Sequence, residues 1–421
     1  METKKKQISI YSLWLVLFIF VIPMYAQVNT DYLSISGVVK DKRTKKNLEY
    51  VSVSVPGTNI GTITNADGEF LIKIKKSYNA KAIKISHIGY INFITPIEGL
   101  DMNHIAIFLT TNEKELTEIV IQPINPYALI KEAISRVGDN YSPKPNLLTG
   151  FYRETVKKGR NYINISEAVI DIYKTSYKED TQKEKVQIFK GRKLISPKIS
   201  DTLIVKLMGG PNSAINLDII KNTDDYLLDP ETLYSFAYEM GATTTIDERP
   251  HYTIHFKPVV IVPYALYWGT YYIDKETLTF SRIEFSLDIS DKNKATQAML
   301  IKKPPKLHFK PEEASYLVTY KQRDGLSYLN YVRSDTRFKC DWKKRFFFFS
   351  TNYEVVSEMV VTDRKEENIE SISNKESFKK NQSLSDKVSN FADANFWENF
   401  NIIEPTESLE SAVTKLRKKS E

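Results

Sequence analysis

With 421 residues, 42% of them hydrophobic, the chain is long and apolar enough to bury the cores of two or three domains, which excludes a disordered or fibrous protein. Its formal net charge of +7 comes from 59 basic and 52 acidic residues that interleave, as in "YKEDTQKEK" from Tyr177 to Lys185, so the concentrated basic stripe of a nucleic-acid binder is missing. Cys340 is the one cysteine, which excludes an intrachain disulfide and a Cys-rich metal site.

The N-terminus reads as an export signal. Lys4, Lys5 and Lys6 form a basic region, Ile10 to Ile22 an apolar one, and Ala26 is a small residue before Gln27. Ile8 to Ala26 is close to the shortest segment that spans a bilayer, so an uncleaved anchor is the alternative. No cysteine follows the signal to carry a lipid. The mature chain is therefore expected in the periplasm, secreted, or held at the outer membrane by its own surface or a partner.

From about Ile35 to Leu109 the sequence is rich in Val, Ile and Thr and is broken by "KDKRTKKN", "PGTN" and "NADG", the pattern of a β-sandwich. Val51, Val53 and Val55 alternate with Ser52 and Ser54; Phe70, Ile72 and Ile74 alternate with Leu71, Lys73 and Lys75. Between them, Asn65, Asp67 and Gly68 look like part of a calcium loop. Such a loop needs flanking helices and a bidentate Glu several residues on, whereas these flanks are strands. A β-turn between antiparallel strands is expected instead. The linker "TNEKELTEIVIQP" then ends in one more strand, Glu118 to Gln122.

Asn125 caps a helix that starts at Pro126, buries Leu129, Ile130, Ala133, Ile134 and Val137 along one face, and leaves at Gly138. After "NYSPKPN", long strands with large aromatics run from Leu147 to about Thr362. In Ser281 to Ile289, residues Ile283, Phe285, Leu287 and Ile289 alternate with Arg282, Glu284, Ser286 and Asp288, so one face is buried and one is wet. Asp274 to Thr277 and Asp324–Gly325 mark hairpin turns, the second with Tyr316, Val318 and Tyr320 on one arm and Leu329 and Tyr331 on the other. A large antiparallel sheet accounts for these signals. Asp363 to Asn390 is polar and reads as a mobile linker or loose loop. Beyond it, "FADANFWENFNIIEP" brings apolar anchors, and Thr406 to Lys418 reads as a last helix with Glu407 and Glu410 at its start and Lys415, Arg417 and Lys418 at its end.

The residue types that carry chemistry form no recognisable constellation. His251 and His255 in "HYTIH" fall on a predicted strand, where positions four apart stand about 13 Å from each other, too far for one zinc. They read as two partly exposed strand histidines. No serine lies in a G-x-S-x-G elbow, and Cys340 in "FKCDWKK" has no nearby histidine; it reads as an ordinary thiol near a strand end. Gly209 and Gly210 before Pro211 lack the lysine and helix start of a phosphate loop and read as a loop. The run Phe346 to Phe349, after Lys343, Lys344 and Arg345, reads as a strand buried on both faces, with an acyl cavity or membrane contact as the alternative. No catalytic, cofactor or metal residue is nominated, and no cofactor is expected.

"ISGVVKDKRTKKNLEYVSVSVPGTNIGTITNADGEFLIKI" followed by "KISHIGY" resembles the carboxypeptidase regulatory-like domain, a transthyretin-like β-sandwich of exported Gram-negative proteins. The matching positions are Gly37, Val39 and Asp41; Val51 to Val55 with Gly57 and Thr58; Gly61 to Thr64 with Asp67, Gly68 and Phe70; and Ser86 to Tyr90. Asn47 departs from the proline usual before Leu48. The resemblance implies an accessory module without catalysis. "NPYALIKEAISRVGDNY", "FYRE" from Phe151 to Glu154, and the closing "FWENFNIIEPTESLE" are similar to uncharacterised exported proteins that carry this module, and the hairpins resemble the half-barrel of outer-membrane lipoprotein carriers. A mainly β protein is expected: signal peptide 1–26, sandwich 33–110, linker strand and helix 111–146, large antiparallel domain 147–362, polar linker 363–390 and C-terminal segment with helix 391–421. Its expected function is binding or assembly in the cell envelope, with an envelope protein or a hydrophobic ligand as partner and no nucleic acid; the alternative is a polymer-acting hydrolase. The hydrophobic ligand would sit where strands carrying Tyr271, Ile283, Phe285, Tyr320, Tyr331 and Phe347 curve around the Pro126–Val137 helix.

Overall fold

The computed structural model describes residues 31–97, 99, 101–112, 124–201, 203, 205–207, 209–222, 227–342, 350–379, 382–391 and 396–420. The export signal, the Glu118 to Gln122 strand and the Phe346 to Phe349 run lie outside these residues.

The N-terminal sandwich is built from β1 (Tyr32–Asp41), β2 (Ser52–Ser54), β3 (Gly61–Ile63), β4 (Glu69–Lys75), β5 (Ala82–Ser86), β6 (Phe93–Pro96) and β7 (Met102–Leu109). One sheet has the order β4-β1-β7 and the other β3-β2-β5-β6. Their inner faces share one core: Ile35, Val39, Phe70 and Ile72 from the first meet Val53, Ile83 and Ile85 from the second. The alternation expected on both sides of "NADG" is present, but the turn joins no hairpin. It carries the chain from β3 in one sheet to β4 in the other. Asn65 shapes it, its Oδ1 accepting from the N–H groups of Asp67 and Glu69, both at 2.9 Å.

The rest of the chain forms β8 (Asn146–Lys158), β9 (Asn161–Lys174), β10 (Lys185–Ile195), β11 (Lys206–Leu207), β12 (Phe236–Met240), β13 (Thr244–Ile246), β14 (Arg249–Pro258), β15 (Tyr267–Asp274), β16 (Phe280–Leu287), β17 (Leu300–Lys302), β18 (Leu307–Arg323), β19 (Leu326–Trp342), β20 (Ser350–Lys365) and β21 (Ser389–Asn390). Apart from the β11–β17 pair, these belong to an open, curved sheet of 12 strands, in the order β12-β14-β15-β16-β18-β19-β20-β8-β9-β10-β21, with β13 on β14. All its pairs are antiparallel except β10 with β21, which runs parallel. The β18–β19 turn is as expected: Asp324 and Gly325 have φ of 51° and 81°, two positive values in succession, which a two-residue hairpin turn of right-handed twist requires.

One face of this sheet packs against helix Pro126–Ser135. Asn125 Oδ1 caps the helix by accepting from Tyr127 and Ala128, and Leu129, Ile130 and Ala133 are buried against Ile170, Tyr271, Ile283 and Phe285. The chain passes Gly138 in a second short helix, Val137–Asn140, rather than leaving there. Tyr331 does not share this face. The register shifts between Thr319 and Tyr320, so Tyr320 opposes Leu329 while Tyr331 opposes Thr319. A bulge sends the following side chain to the other face. Tyr331 accordingly packs with Phe151, Val360 and Trp397 on the opposite side, under the sandwich residue Ile63.

The segment expected to be a mobile linker is docked. Although mostly polar, it buries Ile372, Phe378, Leu384 and Val388, and it ends in β21 on the sheet edge. The last helix runs Glu407–Ser420 and lays Leu409 and Leu416 against Ile165 and Leu194.

Candidate functional site

In "FYRE" the two-residue period of β8 sends Phe151 and Arg153 to one face and Tyr152 and Glu154 to the other. On the first face Arg153 is a clamp. Its Nε is 2.7 Å from Glu167 Oε1, one terminal nitrogen is 3.2 Å from Glu358, and the other donates to the Ile403 carbonyl at 2.8 Å. Arg192 meets the second oxygen of Glu167 at 2.8 Å. Burial alone would raise the Glu167 pKa, but Arg153 and Arg192 outweigh it and hold the carboxyl below its ordinary range. Phe151 meets Trp397 edge-on at 5.3 Å. Two motifs that the sequence leaves unconnected, "FYRE" and "FWENFNIIEP", are thus two halves of one joint.

On the second face Glu154 lines a cavity of 330 Å³. Aliphatic side chains form much of the wall, among them Val156, Ile163, Leu203, Val205, Val355 and Leu384. Ile195 and Ile301, both exposed, also line it and place its mouth at the surface. Gly209 and Gly210 stand beside the carboxyl, and a Cβ on Gly209 would lie 3.8 Å from Glu154 Oε2. Contrary to expectation, this pair does enter a helix, Pro211–Asn216, with Gly210 at φ 87°. Surrounding protein strips water from Glu154 and raises its pKa, against the lowering effect of hydrogen bonds from the Tyr152 hydroxyl, at 3.0 Å, and the Gly210 N–H. The protonated form can donate to an acceptor in the cavity.

A second cluster has the residue types of an active site but not its openness. Lys174 lies 2.8 Å from Asp218 and 3.2 Å from Glu184, and Tyr177 and Tyr320 each donate to Asp218 at 2.7 Å. Lys221 donates to Thr175 Oγ1 at 2.8 Å and to the Ser176 carbonyl. Burial, reinforced by Lys174, pushes its pKa down to about 8 despite Glu184. Lys221 and Tyr177 border a 280 Å³ cavity with Ile134 and Val137, but their polar atoms are already taken, by Thr175 and Ser176 and by Asp218.

The histidines do lie on one strand, β14, as expected. His251, however, is fully buried rather than partly exposed: β16, one strand beyond β15, supplies Ser281, whose hydroxyl is 2.7 Å from its Nε2, and Arg249 O is 2.8 Å from its Nδ1. His255 is exposed and meets Thr270 Oγ1 at 3.0 Å. Cys340 is buried, which pushes its thiol up to about 12 and away from reactivity.

Residues 35–121 match the CarboxypepD_reg-like domain, in agreement with the resemblance read from Gly37 to Tyr90. No curated protein matches the chain significantly. Among solved structures, it is similar to a DUF1329 family protein from Desulfovibrio piger at 8% identity and a TM-score of 0.25, over 60% of this chain and 96% of that one. It is also similar to a LolA superfamily protein from Nitrosomonas europaea, at 8% identity and 0.19, over 57% and 94%. MucB in complex with MucA gives 11% and 0.18, over 58% and 100%. Scores this low transfer neither fold nor function.

Proposed function

We propose that the chain is an exported, non-catalytic protein of the cell envelope whose large sheet binds a small hydrophobic ligand beside Glu154. The 330 Å³ cavity, lined by aliphatic side chains together with polar ones such as Asn164, Asp201 and Lys206, with a desolvated carboxyl and exposed isoleucines at its mouth, carries this reading. Ligand sites have this make-up, many apolar contacts for affinity and few polar ones for orientation, and they start at about 300 Å³. The ligand is therefore small, a short acyl or aromatic body with one hydrogen-bond acceptor for Glu154. The site lies away from the expected location: around Tyr271, Ile283 and Tyr320 side chains fill the face.

Export rests on the basic and apolar N-terminal regions, and mass spectrometry of the mature chain is expected to find Gln27 first. Ligand binding is tested with the fluorescent probe N-phenyl-1-naphthylamine. Saturable binding is expected, lost when Val355→Trp fills the cavity and kept when Val360→Leu alters the opposite face. A Val355→Trp protein that folds and binds the probe as before overturns the assignment. The hydrolase alternative would need the Lys174–Asp218–Lys221 cluster to open to substrate.

A further inference from the structure

A second cavity, of 80 Å³, lies where the sandwich meets the large sheet. β5 contributes Lys84, the segment after it His87, the β13–β14 turn Asp247, β14 Arg249, β16 Arg282 and β18 Lys321. Three of the cations already have acids: Lys84 has Asp247 at 2.7 Å, Arg249 has Asp274 at 3.0 Å, and Arg282 has Glu284 at 2.5 Å. Lys321 has none. Its ammonium makes no hydrogen bond or close ion pair among the described residues, although the sandwich comes near it: a Cβ on Gly61 would lie 3.8 Å away. Burial, with Lys84 as a like-charged neighbour, pushes its pKa down to about 8 against the opposing attraction of Asp247. A half-buried ammonium whose nearest acid is already paired with another cation has capacity for a further anion.

We propose that this junction binds the phosphate group of a small soluble molecule, with Lys321 as its principal contact. The chemistry around Lys321 is that of an oxyanion site: further cations at Lys84 and Arg282, and a hydroxyl donor at Ser86. The size agrees, since 80 Å³ corresponds to the space of about six waters, enough for one phosphate and little more. The rest of the molecule has a place as well. Tyr50 and Arg282 also border an adjoining groove of 340 Å³ that includes Trp268 and Tyr316. Because residues of both sheets form the cavity, an anion there ties the sandwich to the large sheet, and this site is independent of the one beside Glu154.

The test is calorimetric titration of the full mature chain with inorganic phosphate. Millimolar or tighter binding is expected, weakened at least tenfold by Lys321→Met. That variant breaks no ion pair, so its melting temperature without phosphate is expected to hold or rise. Absence of phosphate binding by the unmodified chain, or equal binding by Lys321→Met, overturns the proposal. Flotation with phosphatidic acid vesicles separates the sources: Lys321-dependent flotation without binding of free phosphate moves the anion from a soluble molecule to a lipid and overturns the soluble assignment.

Discussion

Asp67 Oδ2 accepts a hydrogen bond from the backbone N–H of Glu407 at 2.9 Å, across 340 positions of sequence. The turn that resembles half a calcium loop is thus a cap for the last helix. Asn65 adds to the contact by donating to the Pro405 carbonyl at 3.1 Å. Nearby, Asn401 pairs with the backbone of Lys73 in both directions, at 2.6 and 3.0 Å. The sandwich and the C-terminal segment are held together largely by side chains reaching for backbone groups.

Removing the Asp67 carboxylate leaves Thr406 as the remaining side-chain cap, through its Oγ1 on the Leu409 N–H at 3.3 Å. Asp67→Ala is expected to cost about 0.5–1 kcal/mol, because the bond is exposed and a cap is worth about 1. Amide hydrogen exchange should locate the loss in the first turn of Glu407–Ser420, with protection in β8 and β9 unchanged.

Arg153 is a different matter. Arg153→Met leaves Glu167 with one cationic partner instead of two and strands the Ile403 carbonyl, so a loss of about 3–5 kcal/mol is expected in urea denaturation. Limited proteolysis should then cut between residues 396 and 405 in the variant well before it cuts the unmodified chain.

Glu154 gives a pH dependence of defined sign. Its folded pKa is raised above the ordinary 4.5, so the folded protein holds this proton more tightly than the unfolded one does. The stability linked to it is complete below about 4.5 and is lost as pH rises through the folded value. Glu154→Gln should therefore raise the melting temperature at pH 7–8 and leave it unchanged near pH 4. An equal effect at both values would show that burial of the charge is not what matters at this position.

Local order was open to sequence reasoning wherever the cause was local. The alternation in β16, the two positive-φ residues at Asp324–Gly325 and the Asn125–Pro126 helix start each depend on neighbours in the chain, and each was legible. The bulge that turns Tyr331 away from Tyr320 depends on a one-residue slip that hydrophobic alternation conceals. The docked segment 363–390 was misread because four buried side chains were diluted in polar sequence. The site was not legible at all. Glu154 is one of 52 acidic residues, and its environment comes from residues 156–210, 301, 355 and 382–385, which only the folded sheet brings together.

The position of β8 between β9 and β20 has a consequence for biosynthesis. Lys158 leaves the ribosome long before Ser350, and at ordinary elongation rates β8 waits roughly ten to forty seconds for its second neighbour. During that time the strand carrying Phe151 and Arg153 is an open edge, its guanidinium matched by Glu167 of β9 but lacking Glu358, the kind of surface that recruits another chain. We expect the nascent protein to depend on a chaperone that shields strand edges, and ribosome-bound fragments ending before Ser350 to aggregate where fragments ending after Lys365 do not.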